Sequence, residues 1–139
     1  MTTTLRVHEW EVEFDKDETA QAYILLSVGC NCAYCRNFLV VYQSLPSDYA
    51  EFLMQFGIDP TKPAEIVEYN ENPGGTHFYG WWYHVAGQLK NENETHVKFN
   101  PVTDMVFRNK RDLAPKDFPL PSFQIEFFSN LPWVLEEQP

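Results

Sequence analysis

The sequence predicts an α+β fold: an antiparallel, twisted β-sheet of about five to seven strands with a two-helix hairpin packed on one face. Three observations carry this. Apolar and polar residues alternate in short runs separated by turn signals, which is the period of half-buried strands. Between residues 32 and 56 the period changes to that of a helix. The third observation is compositional. With 44% hydrophobic and 16% aromatic residues in 139 positions, the chain can build one continuous core, so a single domain over residues 1–139 is expected.

The elements follow in order. From Val7 to Phe14, the residues His8, Trp10, Val12 and Phe14 share one face while Glu9, Glu11 and Glu13 share the other, the pattern of a strand with one wet side. Asp15 to Glu18 reads as a polar turn. Ala22, Ile24, Leu26 and Val28 then read as a second alternating strand that pairs with the first in a hairpin and leaves Cys30 on the core side at its end. Tyr34, Phe38, Val41, Tyr42 and Leu45 fall at helical spacing, with Asn31 as N-cap and Pro46 as the stop. Ser47 caps a second helix whose apolar stripe is Tyr49, Phe52, Leu53 and Phe56, and Gly57 suits its left-handed closing residue.

Asp59 to Pro63 forms a turn before a strand around Glu65 to Tyr69, and Asn72-Pro73-Gly74-Gly75 is the strongest turn signal in the chain. Residues 76–89 carry apolar groups on both parities, which suits a central strand covered on both faces, with Gly80 and Gly87 marking a bulge or bend. Strands over 95–99 and 102–108 follow, joined by Asn100-Pro101. The polar segment 109–121 is a long surface loop. In the last strand, 123–128, Phe123, Ile125 and Phe127 point inward, and Leu131-Pro132-Trp133-Val134 docks as an apolar tail.

Charge narrows the function classes. Ten Lys and Arg against twenty Asp and Glu give a formal charge of -10, which repels phosphate backbones and anionic lipid surfaces and argues against nucleic acid or membrane as a partner. The acidity serves solubility first. The first residues show no charged segment followed by an apolar run, and no apolar stretch approaches a bilayer span, so a cytoplasmic protein is expected. In that setting the Asn93-Glu94-Thr95 sequon is a chance match. Nucleophile elbow, phosphate loop and HExxH motifs are missing, and Asp15-Lys16-Asp17-Glu18 lacks the glycine of a calcium loop.

Chemistry concentrates in one place. Cys30, Cys32 and Cys35 lie within six positions where a strand gives way to a helix. Three thiolates around one point suit zinc, and a Cys3His site needs one histidine from His8, His77, His84 or His96. His8 is the favoured donor, because it shares the inward face of the strand expected to pair with the one ending at Cys30; His84 is second. The same residues support a different class of function, with Cys32 as the attacking thiol and Cys35 as resolver of a redox pair at a helix start. What that reading lacks is the βαβ order of a thioredoxin-like domain downstream. A third reading makes the cysteines small hydrophobes and places a ligand on the aromatic strand, at Trp81, Tyr83 and His84. Against it, inward aromatics are what a central strand uses to build a core.

Cys32-Ala-Tyr-Cys35-Arg-Asn-Phe38, Leu45-Pro46, Gly57-Ile-Asp-Pro60, Lys62-Pro63-Ala64-Glu65 and Tyr79-Gly80-Trp81-Trp82-Tyr83-His84 resemble a family of small uncharacterised bacterial proteins with a CxCxxCRNF motif. The resemblance covers about half of the chain, from Cys30 to His84. It implies a bacterial, cytoplasmic, single-domain protein and no activity. The leading expectation is therefore a small binding or interaction domain, with a protein or small molecule as partner, whose Cys30, Cys32, Cys35 and His8 hold structural zinc. The alternatives are a thiol-disulfide protein and an aromatic ligand pocket.

Overall fold

A computed structural model of the chain describes residues 2–27, 31–45 and 47–139. In order the elements are β1 (Thr3–Val7), β2 (Trp10–Phe14), α1 (Lys16–Leu25), α2 (Ala33–Val41), α3 (Ser47–Met54), β3 (Glu65–Glu71), β4 (His77–Leu89), β5 (Val97–Asn100), β6 (Thr103–Arg108) and β7 (Ser122–Leu131), with a short 3-10 turn at Tyr42–Ser44. Among the described residues seven strands form one antiparallel sheet in the order β1-β2-β4-β7-β6-β5, with β3 also on β4. The fold is α+β, as expected from the sequence.

Strand β4 is the axis of the sheet because it is apolar on both parities. One edge pairs with β7 from His77 to Ala86. The other edge is shared: β3 takes residues 77–82 and β2 takes 87–89. Tyr79, Trp81, Tyr83 and Val85 on one face, with Phe123, Ile125 and Phe127 of β7, are fully buried. The predicted helical pair α2 and α3 covers this face, placing Phe38 4.8 Å from Trp81 and Tyr49 5.3 Å from Phe127, ring centre to ring centre. Such tilted contacts add about 0.5–1.5 kcal/mol each beyond burial.

The polar tips inside this aromatic layer satisfy one another. Trp81 Nε1 donates to the Tyr49 hydroxyl at 2.9 Å, the Tyr49 and Tyr83 hydroxyls are 2.5 Å apart, and the Tyr83 hydroxyl reaches Pro60 O at 2.7 Å. Burial pushes both phenols above their ordinary range, so they act here as neutral hydrogen-bonding groups. Trp81 and Tyr83 thus belong to the core rather than to an exposed row. Gly57 closes α3 as predicted, at φ +89°. Its N–H bonds Met54 O and the Ile58 N–H bonds Leu53 O, the paired ladder of a Schellman end.

Two expectations are corrected. The residues read as a second strand, Ala22 to Leu26, belong to helix α1 and its C-terminal cap; Val28 lies outside the described residues. Asp15 is not a free turn residue but the N-cap, its Oδ1 accepting from the Glu18 N–H at 2.9 Å, and a cap of this kind is worth about 1 kcal/mol. The helix fills the gap on β4 left between β3 and β2. Tyr23 Oη accepts from the His84 N–H at 3.0 Å and donates to its carbonyl at 3.1 Å, and Thr19 Oγ1 accepts from the Ala86 N–H at 3.0 Å. Side-chain hydroxyls stand where a strand would have supplied peptide groups. The second correction concerns His8. Trp10, Val12 and Phe14 point inward as expected, but β1 turns back at Val7, and His8 sits exposed in the turn at φ +51°.

Candidate functional site

Helix α2 begins on a cysteine. Cys32 is the N-cap, with extended backbone at φ -73° and ψ 167°; Asn31, expected at that position, lies one residue before it. Cys32 is exposed and Cys35, one turn on, is buried at 2%. Their sulfurs are 3.5 Å apart. That is a thiol contact, and a rotation of one side chain closes it toward the S–S distance of about 2.05 Å. Cys32 stands at the N-terminus of α2, where the helix dipole favours anions.

Arg36 supplies a cation that feels the Cys32 sulfur. Its Nε donates to Asn31 O at 3.1 Å, and its other arm pairs with Glu137. Glu137 holds the guanidinium charged, with a smaller contribution from the Cys32 sulfur, and in return Arg36 keeps the Glu137 carboxyl below the usual carboxylate range. The tail that brings Glu137 here is the predicted apolar one. Asn37, fully buried on α2, donates to Pro132 O at 3.1 Å and accepts from the Val134 N–H at 2.8 Å, while Trp133 packs edge-on against Tyr34 at 5.7 Å.

Beneath the cysteines, the Tyr79 hydroxyl donates to Tyr34 O at 2.8 Å. Burial pushes it up to about 12, opposed by Asn37 and reinforced by Glu68, Cys35 and Cys32. No protein-family model, curated protein or solved structure matches the chain.

The four histidines separate. His8 is exposed on the β1–β2 turn, and the pairing that argued for it does not exist, because the residues meant to lead into Cys30 are helical. His96 is exposed and stacks on Phe128 at 5.0 Å. His77 is buried, hydrogen-bonds through Nδ1 to Glu68 Oε2 at 2.7 Å, and packs with its ring centre 6.3 Å from that of Tyr34 of α2. Among the described residues no three His, Cys, Asp or Glu side chains gather as metal ligands; Cys30 lies outside them.

His84 shares a cleft of about 130 Å³ with Cys35. It is 1% exposed, and burial drives it down to about 4, so the ring is neutral near pH 7. Its tautomer follows from Gln124. That amide accepts at Oε1 from the Asp112 N–H at 3.0 Å and donates from Nε2 to Glu126 at 2.6 Å, which fixes Oε1 toward His84 Nε2 at 3.0 Å. Nε2 therefore carries the proton and Nδ1 the lone pair. Loop 109–121 holds this arrangement, with Trp82 Nε1 on Asp112 O at 3.0 Å and the Phe118 ring 5.9 Å from His84. Sequence reasoning missed Lys62, Gln124 and Glu137. Lys62 stands in a turn, Gln124 alternates with inward aromatics like any solvent-side residue, and Glu137 is one acid among twenty.

Proposed function

We propose that the chain is a thiol-disulfide exchange protein whose working pair is Cys32 and Cys35. The observation that carries this is the pair itself: an exposed sulfur at a helix N-cap, 3.5 Å from a buried one. Cys32 as thiolate attacks one sulfur of a substrate disulfide, forming a mixed disulfide and releasing the first substrate thiolate. Cys35, losing its proton to solvent, then attacks Cys32 Sγ. The second substrate thiolate leaves, and the chain holds a Cys32–Cys35 disulfide while the substrate is reduced by two electrons. The first-turn amides and Arg36 support the thiolate that attacks and, in the reverse direction, the one that leaves.

A second reading rests on the same sulfurs. Cys30 stands two residues before Cys32, and three thiolates in this spacing suit structural zinc. One experiment separates the two. Protein purified under reducing conditions, without chelator or a His-tag, is assayed for metal and alkylated with iodoacetamide. The exchange reading expects less than a tenth of a zinc per chain and alkylation of Cys32 at least tenfold faster than of Cys35, with or without chelator. Near one zinc per chain, with thiols that react only after chelation, would contradict it and support the zinc site.

A further inference from the structure

The cleft lined by Cys35 and His84 mixes polar and apolar surface. Leu26, Pro63, Ile66 and Phe118 supply apolar walls, while Lys62, Glu65, His84 and Cys35 supply a cation, a carboxylate, a neutral acceptor and a thiol. Lys62 Nζ spends one hydrogen on Tyr23 O at 2.9 Å and keeps two. Glu65 Oε1 accepts its neighbour Ile66 N–H at 2.9 Å, leaving the other oxygen. His84, almost fully buried, has its Nε2 committed to Gln124 and a lone pair on Nδ1. A buried imidazole with an open acceptor beside a cavity is a binding feature, because an apolar wall would have served packing better.

The volume sets the size. About 130 Å³ is roughly four water volumes, room for a molecule of amino-acid size and no peptide. Cys32 is not among the described residues that line the cleft. A nucleophile held there meets Cys35 first, and displacement at a sulfur proceeds with the leaving sulfur opposite the attacking one.

We propose, resting on the exchange reading above, that this cleft binds a small aminothiol carboxylic acid of cysteine size, which reduces the Cys32–Cys35 disulfide by attacking Cys35. Its carboxylate lies on Lys62, its ammonium on Glu65 and His84 Nδ1, and its sulfur on Cys35 Sγ. The bound thiol loses its proton to solvent and its thiolate forms an S–S bond to Cys35; the Cys32–Cys35 bond breaks, and the electron pair leaves on Cys32, at the helix N-terminus beside Arg36. A second thiol attacks the small-molecule sulfur of the mixed disulfide. Cys35 is released as thiolate and the two small thiols leave as their symmetrical disulfide, so two thiols are oxidised for one protein disulfide reduced.

The test uses the full chain, oxidised, with the Cys32–Cys35 bond verified by peptide mapping. Reduction rates are compared for L-cysteine, cysteamine and 3-mercaptopropionate, each normalised to its thiolate concentration, and the first mixed disulfide is trapped by acid quench and mapped. The proposal expects L-cysteine to be at least tenfold faster than either analogue, with the adduct on Cys35. In Lys62→Gln the advantage of L-cysteine over cysteamine disappears, with an unchanged far-UV circular dichroism spectrum as the check that the variant is folded. Equal normalised rates, or an adduct on Cys32, would overturn the cleft and leave the exchange reading standing. Failure of any Cys32–Cys35 disulfide to form would overturn both.

Discussion

Single side chains carry the chemistry and define two of its tests. Arg36 pairs with Glu137 and feels the charge of Cys32, and removing its charge withdraws an exposed stabilisation of the thiolate, an effect of about a few-fold in rate. Arg36→Gln is expected to slow iodoacetamide alkylation of Cys32 two- to fivefold at pH 7 without altering thermal stability; an unchanged rate would remove Arg36 from the account. His84 gives a pH signature. Its folded value is depressed to about 4 from 6.5, chiefly by burial, so below pH 6.5 the unfolded chain takes up a proton that the folded one refuses. The stability it contributes is full above 6.5 and is lost as pH falls toward 4, a difference on the order of 3 kcal/mol. Denaturation midpoints across pH 4–7 should therefore fall more steeply for the natural chain than for His84→Gln. Parallel curves would mean that His84 is not held neutral.

Elements show which parts of the sequence were legible. The α2–α3 pair was readable because Phe38 and Val41, then Tyr49, Leu53 and Phe56, repeat at helical spacing, and these are the residues that became buried. Helix α1 was misread because Ala22, Ile24 and Leu26 alternate as in a strand, whereas in the helix Ile24 turns outward and is 67% exposed. The decisive signal was local and polar: Asp15 followed by Glu18 is a capping pattern. Its tertiary reason was invisible, since nothing in the sequence says that β4 would lack a strand beside residues 83–86. That gap makes the helix testable. Tyr23→Phe removes the hydroxyl that satisfies the buried His84 N–H, and an orphaned buried donor costs about 1–3 kcal/mol. Chemical denaturation should show a loss in that range, and a loss below about 0.3 kcal/mol would mean that water or a shift of α1 replaces the bond.

At the scale of the molecule, the two-sided apolar pattern of β4 already implied a sheet with cover on both faces. Helices α2 and α3 lie on one, and loop 109–121 folds over His84 on the other. Legibility stopped at the site. The CxxC spacing named the sulfurs, but Lys62, Gln124 and Glu137 reach them or their cleft only through long-range packing, which leaves no local periodicity. No described helix is long and apolar enough to cross a membrane. The most direct measurement is a redox titration of the full chain in glutathione buffers, with acid-quenched thiols counted and mapped by mass spectrometry. The account predicts one reversible two-electron transition, loss of two hydrogens per chain, and a disulfide joining Cys32 to Cys35. Thiols that persist under oxidising buffer, or a disulfide that forms only between chains, would contradict it.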